Sequence, residues 1–90
     1  MAKLIKTDGS VTDVAPKNGK DFKLDELREL IGCEYIEIVR VPLTHGKILI
    51  VDEEGKLNGK EFNERATVIY GNILDYIVGD ALMCDRGEVK

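Results

Sequence analysis

The sequence contains few of the residues from which metal sites and nucleophilic centres are built. Its 90 residues include one histidine, His45, two cysteines, Cys33 and Cys84, and no tryptophan. These three residues lack the short spacings of zinc-binding motifs, and no C-x-x-C pair is present. A nucleophile needs a base and an orienting group beside it, and neither cysteine lies in a recognisable nucleophile motif. We therefore predict no catalytic residue, no metal ion and no cofactor.

Long apolar runs and clusters of basic residues are also missing. No apolar run approaches the ~20 residues of a spanning helix, and no signal-peptide pattern precedes the first predicted strand. Residues 1–23 carry five lysines and three aspartates, whereas residues 24–90 carry eight basic and fourteen acidic residues, for a net charge of -4. Because nucleic-acid binding depends on clustered Lys and Arg, we do not expect a nucleic-acid partner. We expect a cytoplasmic protein with reduced cysteines and no membrane contact.

The apolar stretches that are present predict one small α+β domain over residues 1–90. A hairpin is predicted over residues 2–15, because the turn dipeptide Asp8-Gly9 separates two short strand patterns. Further strands are predicted over residues 34–41, 47–51 and 81–84, with a turn that contains His45 between the first two. The predicted order is β-β-α-β-β-α-β, in a mixed and mainly antiparallel sheet with two helices.

Two segments have the periodicity of helices. The first helix is predicted over residues 23–31, with Gly32 as its stop and an apolar face made of Leu24, Leu27, Leu30 and Ile31. Asn63 is a favourable N-cap for the second helix. Its predicted buried face consists of Ala66, Ile69, Tyr70 and Ile73, and Gly71-Asn72 lies near its predicted end.

A polar, glycine-rich segment over residues 52–60 separates a strand from the second helix and is the most distinctive feature of the sequence. Backbone N–H groups in such a turn, a helix N-terminus and nearby basic side chains can together bind an anion. No Walker or G-x-G-x-x-G pattern accompanies them. The alternative is that the glycines serve only the turn and Asn63 only the helix cap. The residues of this hypothetical site for a nucleotide-like anion are Gly55, Lys56, Asn58, Gly59, Lys60, Asn63 and Arg65.

A second glycine interrupts the apolar stretch near the C-terminus, at Val78-Gly79-Asp80. A bulge or a bend at the start of a strand accounts for it structurally. The functional alternative is that the missing side chain at Gly79 lets a ligand or a partner backbone approach.

Four segments of the sequence resemble the family called domain of unknown function 3846. They are residues 35–39 (YIEIV), 52–58 (DEEGKLN), 63–67 (NERAT) and 77–80 (IVGD). The resemblance covers most of residues 1–85. It implies an accessory protein of phages, plasmids or conjugative elements, and it supplies no activity and no catalytic residues. We therefore expect a non-enzymatic protein that binds another protein, such as a host factor.

The apolar residues of the strands at 47–51 and 81–84 alternate onto both faces of the sheet. If both short helices covered the same face, the other face would expose a contiguous apolar patch, which usually marks an interface. We therefore expect a two-fold homodimer that buries the uncovered face. The alternative is a monomer in which the two helices lie on opposite faces or the N-terminal hairpin acts as a lid.

Overall fold

The computed structural model describes residues 2–41 and 46–89, which form one antiparallel sheet of five strands with two α-helices. The strands are β1 (Ala2–Ile5), β2 (Val11–Val14), β3 (Ile36–Arg40), β4 (Lys47–Asp52) and β5 (Ala81–Asp85). The helices are α1 (Leu24–Ile31) and α2 (Glu64–Tyr70), and a 3-10 turn covers Arg86–Glu88. The predicted fold class and element order are confirmed. The predictions for residues 42–45, including His45, lie outside the described residues.

The strands are arranged in the order β2-β1-β5-β4-β3, so that β5 and β4 lie inside the sheet and β2 and β3 form its edges. The pairing of Leu4 with Leu82 and of Ile50 with Leu82 fixes the register of the three central strands. Directly opposed residues point to the same face. Even-numbered residues of β1, β4 and β5 therefore face one side of the sheet, and odd-numbered residues face the other.

Helix α1 covers the even-numbered face. It ends where the sequence predicts, because Gly32 adopts a left-handed conformation with φ 75° and donates its N–H to Arg28 O. Leu27 and Ile31 are buried, whereas Leu24 is about half exposed at the start of the helix. The core on this side contains Ala2, Leu4, Phe22, Leu27, Ile31, Ile48, Ile50, Leu82 and Cys84.

Helix α2 and the segment that follows it cover the odd-numbered face. The core on this side contains Ile5, Val41, Leu49, Val51, Ala66, Ile77 and Ala81, with Ile69 and Tyr70 packed beside them. The expected burial of Ile73 is wrong, since its side chain is 97% exposed. Helix α2 ends at Tyr70 because Gly71 takes φ 72° and donates its N–H to Thr67 O, which places Ile73 beyond the helix.

The two helices thus lie on opposite faces of the sheet, as in the alternative considered for a monomer. The homodimer expected from the sequence depended on an uncovered apolar face. Both faces of β4 and β5 are covered by residues of the same chain, and Leu49, Ile50, Ala81 and Leu82 are fully buried. The homodimer therefore stays a prediction, but an uncovered apolar face no longer supports it. Neither helix of the described ranges is long and apolar enough to span a bilayer.

Both cysteines are free thiols, and Cys84 is fully buried in the core beneath α1. Burial raises the pKa of the Cys84 thiol to about 11. Burial also raises the pKa of Cys33, and the negative charge of Asp52 adds to the effect. A raised pKa lowers the fraction of reactive thiolate at a given pH.

We expect a thiol reagent at about pH 8 to modify Cys33 slowly and Cys84 only after unfolding. With a pKa of about 11, roughly one Cys84 thiol in a thousand is ionised at that pH, and the core shields it as well. The measurement is the rate at which each protein thiol reacts with an aromatic disulfide reagent, followed through the aromatic thiol that the reaction releases. The Cys33→Ser and Cys84→Ser variants are the two controls. Two thiols that react rapidly in the folded protein would contradict this assignment.

Candidate functional site

The glycine-rich segment between β4 and α2 forms a closed set of turns. The N–H groups of Gly55, Asn58, Gly59 and Lys60 all donate to carbonyl groups of residues 52–56, with N···O distances of 2.9 to 3.3 Å. Gly59 adopts φ 70°, which a side chain disfavours. Gly55 is required for packing, because a Cβ atom there would lie 2.8 Å from Val78 Cγ2. The N–H groups on which the anion hypothesis depends are therefore engaged within the segment.

Lys60 extends from this segment to the C-terminal end of α1. Its Nζ lies 2.8 Å from Asp52 Oδ2 and donates to Gly32 O at 3.0 Å and Ile31 O at 3.4 Å. The Asp52 side chain is only 3% exposed, and its Oδ2 has no partner with hydrogen-bond geometry in the described part of the chain. The ion pair with Lys60 therefore balances a buried negative charge, and a cation also suits the end of a helix.

The carbon chain of Lys60 passes directly over Gly79. Gly79 has φ 75°, and a Cβ atom there would lie 2.8 Å from Lys60 Cδ. The space at Gly79, where the functional alternative places a ligand or a partner backbone, is thus occupied by a side chain of the same protein. A side chain at position 79 would require the carbon chain of Lys60 to shift and would strain the backbone at this positive φ.

Asn63 is a fully buried cap residue. Its Oδ1 accepts from Ala66 N at 3.0 Å, and its Nδ2 donates to Ile5 O at 2.9 Å and Gly79 O at 2.8 Å. The capping role predicted from the sequence is confirmed. Because three hydrogen bonds to the protein occupy this side chain, it ties α2 to β1 and to the start of β5.

The remaining basic residues of the predicted anion site lie apart from Lys60. Arg65 lines a groove between α2 and the hairpin turn at Thr7 and Asp8. Lys56 forms an ion pair with Asp75, and its Nζ lies 4.2 Å from the centre of the Tyr76 ring. The structure therefore directs Lys56 and Arg65 to places separate from Lys60.

The most exposed apolar side chains belong to the turn after α2. Ile73 and Leu74 are 97% and 90% exposed. They occupy the central positions of a turn in which Asp75 N donates to Asn72 O at 3.2 Å. Asn72 Oδ1 also accepts from Leu74 N at 2.9 Å. Turn tips are usually Gly, Asn, Asp or Pro, so two large aliphatic residues here contribute nothing to the core and remain available for contact.

The base of this turn is held by polar and aromatic contacts. Asp75 Oδ1 accepts from Tyr76 N at 2.8 Å and forms the ion pair with Lys56. The hydrogen bond from Lys56 lowers the pKa of Asp75, and the same bond raises the pKa of Lys56. The ring of Phe62 packs on Tyr76 with 6.1 Å between the ring centres. These contacts fix the direction in which the turn projects.

A second set of hydrogen bonds joins the end of this loop to α2. Thr67 Oγ1 accepts from Ile77 N at 2.8 Å and lies 3.4 Å from Ile77 O.

We name the surface formed by Phe62, Ile73, Leu74 and Tyr76 the apolar turn surface. The sequence carried one signal for it, the helix stop at Gly71, which excludes Ile73 from the buried face of α2.

Within residues 2–41 and 46–89, no group of three or more His, Cys, Asp and Glu residues is placed to hold a metal ion. No curated protein and no solved structure matches the chain significantly. A family model described as a domain of unknown function, DUF3846, matches residues 4–89. This match covers nearly the whole chain, and the protein therefore belongs to the DUF3846 family.

Proposed function

We propose that this protein is a non-enzymatic binding protein that contacts a protein partner through the apolar turn surface. The observation that carries the proposal is the exposure of Ile73 and Leu74 at the tip of a turn with a fixed base. Its action in the cytoplasm, on behalf of a phage or another mobile element, is part of the same proposal. The family resemblance supports the link to a mobile element.

The energetics of association favour this surface. Burial of an Ile or Leu side chain contributes about 1.5–3 kcal/mol when it is complete. Most interface energy comes from a few such anchors in closely fitting pockets. Ordering a flexible loop on binding costs free energy, and the hydrogen bonds at Asn72 and Asp75 reduce that cost because the turn is formed beforehand. The partner is therefore expected to offer an apolar pocket about two side chains wide.

We expect the double change Ile73→Ser and Leu74→Ser to abolish partner binding without loss of stability. Both side chains are almost fully exposed, so their removal leaves the core intact. The measurement compares the proteins that wild type and variant retain from a bacterial lysate, followed by the affinity of each for the purified partner. Loss of two buried anchors weakens binding by at least about a hundredfold.

The matched control for this experiment is Val11→Ser. Val11 is an exposed apolar residue in β2, at the far edge of the sheet, and its replacement should leave binding unchanged. A partner that binds wild type and double variant equally would refute the role of the turn. Turnover of a phosphate ester or a peptide by the purified protein, lost on mutation of Cys84 or His45, would refute the non-enzymatic function.

A further inference from the structure

Strand β3 forms one edge of the sheet, and it carries exposed residues on both of its faces. It pairs only with β4 within the described sheet. Glu37, Ile38 and Arg40 are exposed, and Ile38 keeps 53% of its accessible surface. An edge strand offers backbone N–H and C=O groups to an additional strand unless it is covered. The strand contains no proline, so the described edge is able to accept such a partner.

The register with β4 determines which side of the sheet each β3 residue faces. Glu37 and Val39 are opposite Val51 and Leu49, which belong to the core beneath α2. Ile38 and Arg40 are opposite Ile50 and Ile48, which belong to the core beneath α1. Successive residues of a strand added beside β3 would point alternately to the same two sides.

On the α2 side, β3 borders a cavity of about 150 Å³ with an acidic rim. Glu37, Glu53 and Asp75 contribute carboxylates, Lys56 contributes the ammonium that is paired with Asp75, and Val39, Val51 and Ile77 form an apolar floor. Asp75 is paired with Lys56, whereas Glu37 and Glu53 form no ion pair with another described residue. The cavity therefore suits the long side chain of a lysine or an arginine, whose apolar stem and charged head need both kinds of surface.

On the α1 side, β3 borders a shallow groove of opposite charge. This groove is lined by Ile38, Arg40, Ile48, Arg86 and Val89, with a volume of about 460 Å³. It carries two arginines and no acidic residue among its lining residues. Apolar or acidic side chains fit this groove, and a basic side chain would be repelled.

We propose that β3 binds an extended segment of a partner protein as a sixth strand of the sheet. The segment alternates lysine or arginine, directed to the acidic cavity, with apolar or acidic residues, directed to the arginine-lined groove. Main-chain hydrogen bonds then supply affinity, and the two cavities select the sequence. This inference adds a second contact to the proposed function. It does not depend on Ile73 or Leu74, although Tyr76 of the apolar turn surface also lines the acidic cavity.

A second copy of the same chain fits this edge less well than a foreign segment does. Two-fold antiparallel pairing keeps each face of the sheet continuous, so opposed residues must share a face. A two-fold axis at residue 37 places Glu37 opposite its own copy. An axis at residue 38 places the two copies of Glu37 on a diagonal, and an axis at residue 39 does the same for Arg40. Like charges that are directly opposite are destabilising, and the diagonal arrangements bring like charges on long side chains within reach of each other.

The test uses two labelled peptides of identical composition, measured by fluorescence anisotropy and by backbone NMR shifts. In the first, Lys-Val-Lys-Glu-Lys-Val, every basic residue faces one side of an extended strand. In the second, Lys-Lys-Lys-Glu-Val-Val, the charges are grouped. We expect the alternating peptide to bind at least about threefold more tightly and to shift the resonances of residues 36–40. Equal binding of the two peptides, or no binding of either, would overturn the proposal.

Variants locate the peptide on the protein. Glu37→Lys should weaken binding of the alternating peptide about three- to tenfold. Glu29→Lys is the matched control, because it makes the same charge change at an exposed site of α1 on the side of β1 and β2. An equal loss of peptide affinity in both variants would show that net charge alone accounts for the binding, and it would overturn the proposal. So would a dimer of the protein alone that Glu37→Lys dissociates, since a second copy would then occupy the edge.

The variant with Ile73→Ser and Leu74→Ser separates this inference from the proposed function. It should bind the alternating peptide as wild type does, even where it no longer binds the protein partner. Loss of peptide binding in that variant would place the peptide on the apolar turn surface and overturn the assignment to β3. Retained partner binding in that variant, together with normal peptide binding, would refute the role of the turn and leave the edge site standing.

Discussion

Replacement of Leu27 by aspartate is expected to lower the free energy of unfolding by several kcal/mol, enough to unfold much of the protein. Leu27 is 1% exposed and lies at the centre of the core between α1 and the sheet. An unpaired carboxylate there loses its hydration, and the core loses a large apolar side chain. A small domain has a total stability of only about 5 kcal/mol or little more. The measurement is a denaturant titration followed by circular dichroism.

The matched control for this change is Leu24→Asp on the same helix. Leu24 is about half exposed and occupies the first helical position, where an acidic side chain interacts favourably with the helix dipole. Its replacement should cost less than about 1 kcal/mol. A loss of similarly small size for Leu27→Asp would show that the phase of α1 is wrong.

Replacement of Lys60 by methionine is expected to cost about 2–4 kcal/mol of stability at neutral pH. Methionine keeps most of the apolar stem over Gly79 but removes the ammonium from the 3%-exposed Asp52 side chain. Breaking one side of a buried ion pair is strongly destabilising, because the other charge stays buried without a counter-charge. Asp52 Oδ1 would still accept a hydrogen bond from Glu54 N. This expected loss of stability lies toward the lower end of the losses usual for a broken buried ion pair, because the Lys60 side chain is 24% exposed. Thermal unfolding and urea titration both measure it.

Lys20→Met provides the control, since Lys20 is exposed and the change removes the same charge. It should alter stability by less than about 0.5 kcal/mol. The double variant Lys60→Met with Asp52→Asn should recover part of the loss, because the uncompensated carboxylate is then absent. Equal stability of the Lys60→Met and Lys20→Met variants would show that the ion pair makes no net contribution.

The local features of this fold follow from the sequence because their causes lie within a few residues. The end of α1 at Gly32 requires only a residue that tolerates positive φ after an apolar periodic segment. The cap at Asn63 requires a side-chain oxygen three residues before Ala66 N. The hairpin requires Asp8-Gly9 between two short strands. In each case the interaction closes a short loop of chain, and the residue type alone favours one conformation.

The placement of Lys60 and the face of the sheet that each helix covers were decided by the tertiary structure. The sequence predicts Lys60 to be a free cation near the start of a helix. Its Nζ instead donates a hydrogen bond to Gly32 O, 28 residues away. The face that each helix covers depends likewise on the strand order β2-β1-β5-β4-β3. Contacts between distant residues set both of these features, and neither composition nor periodicity determines which distant residues meet.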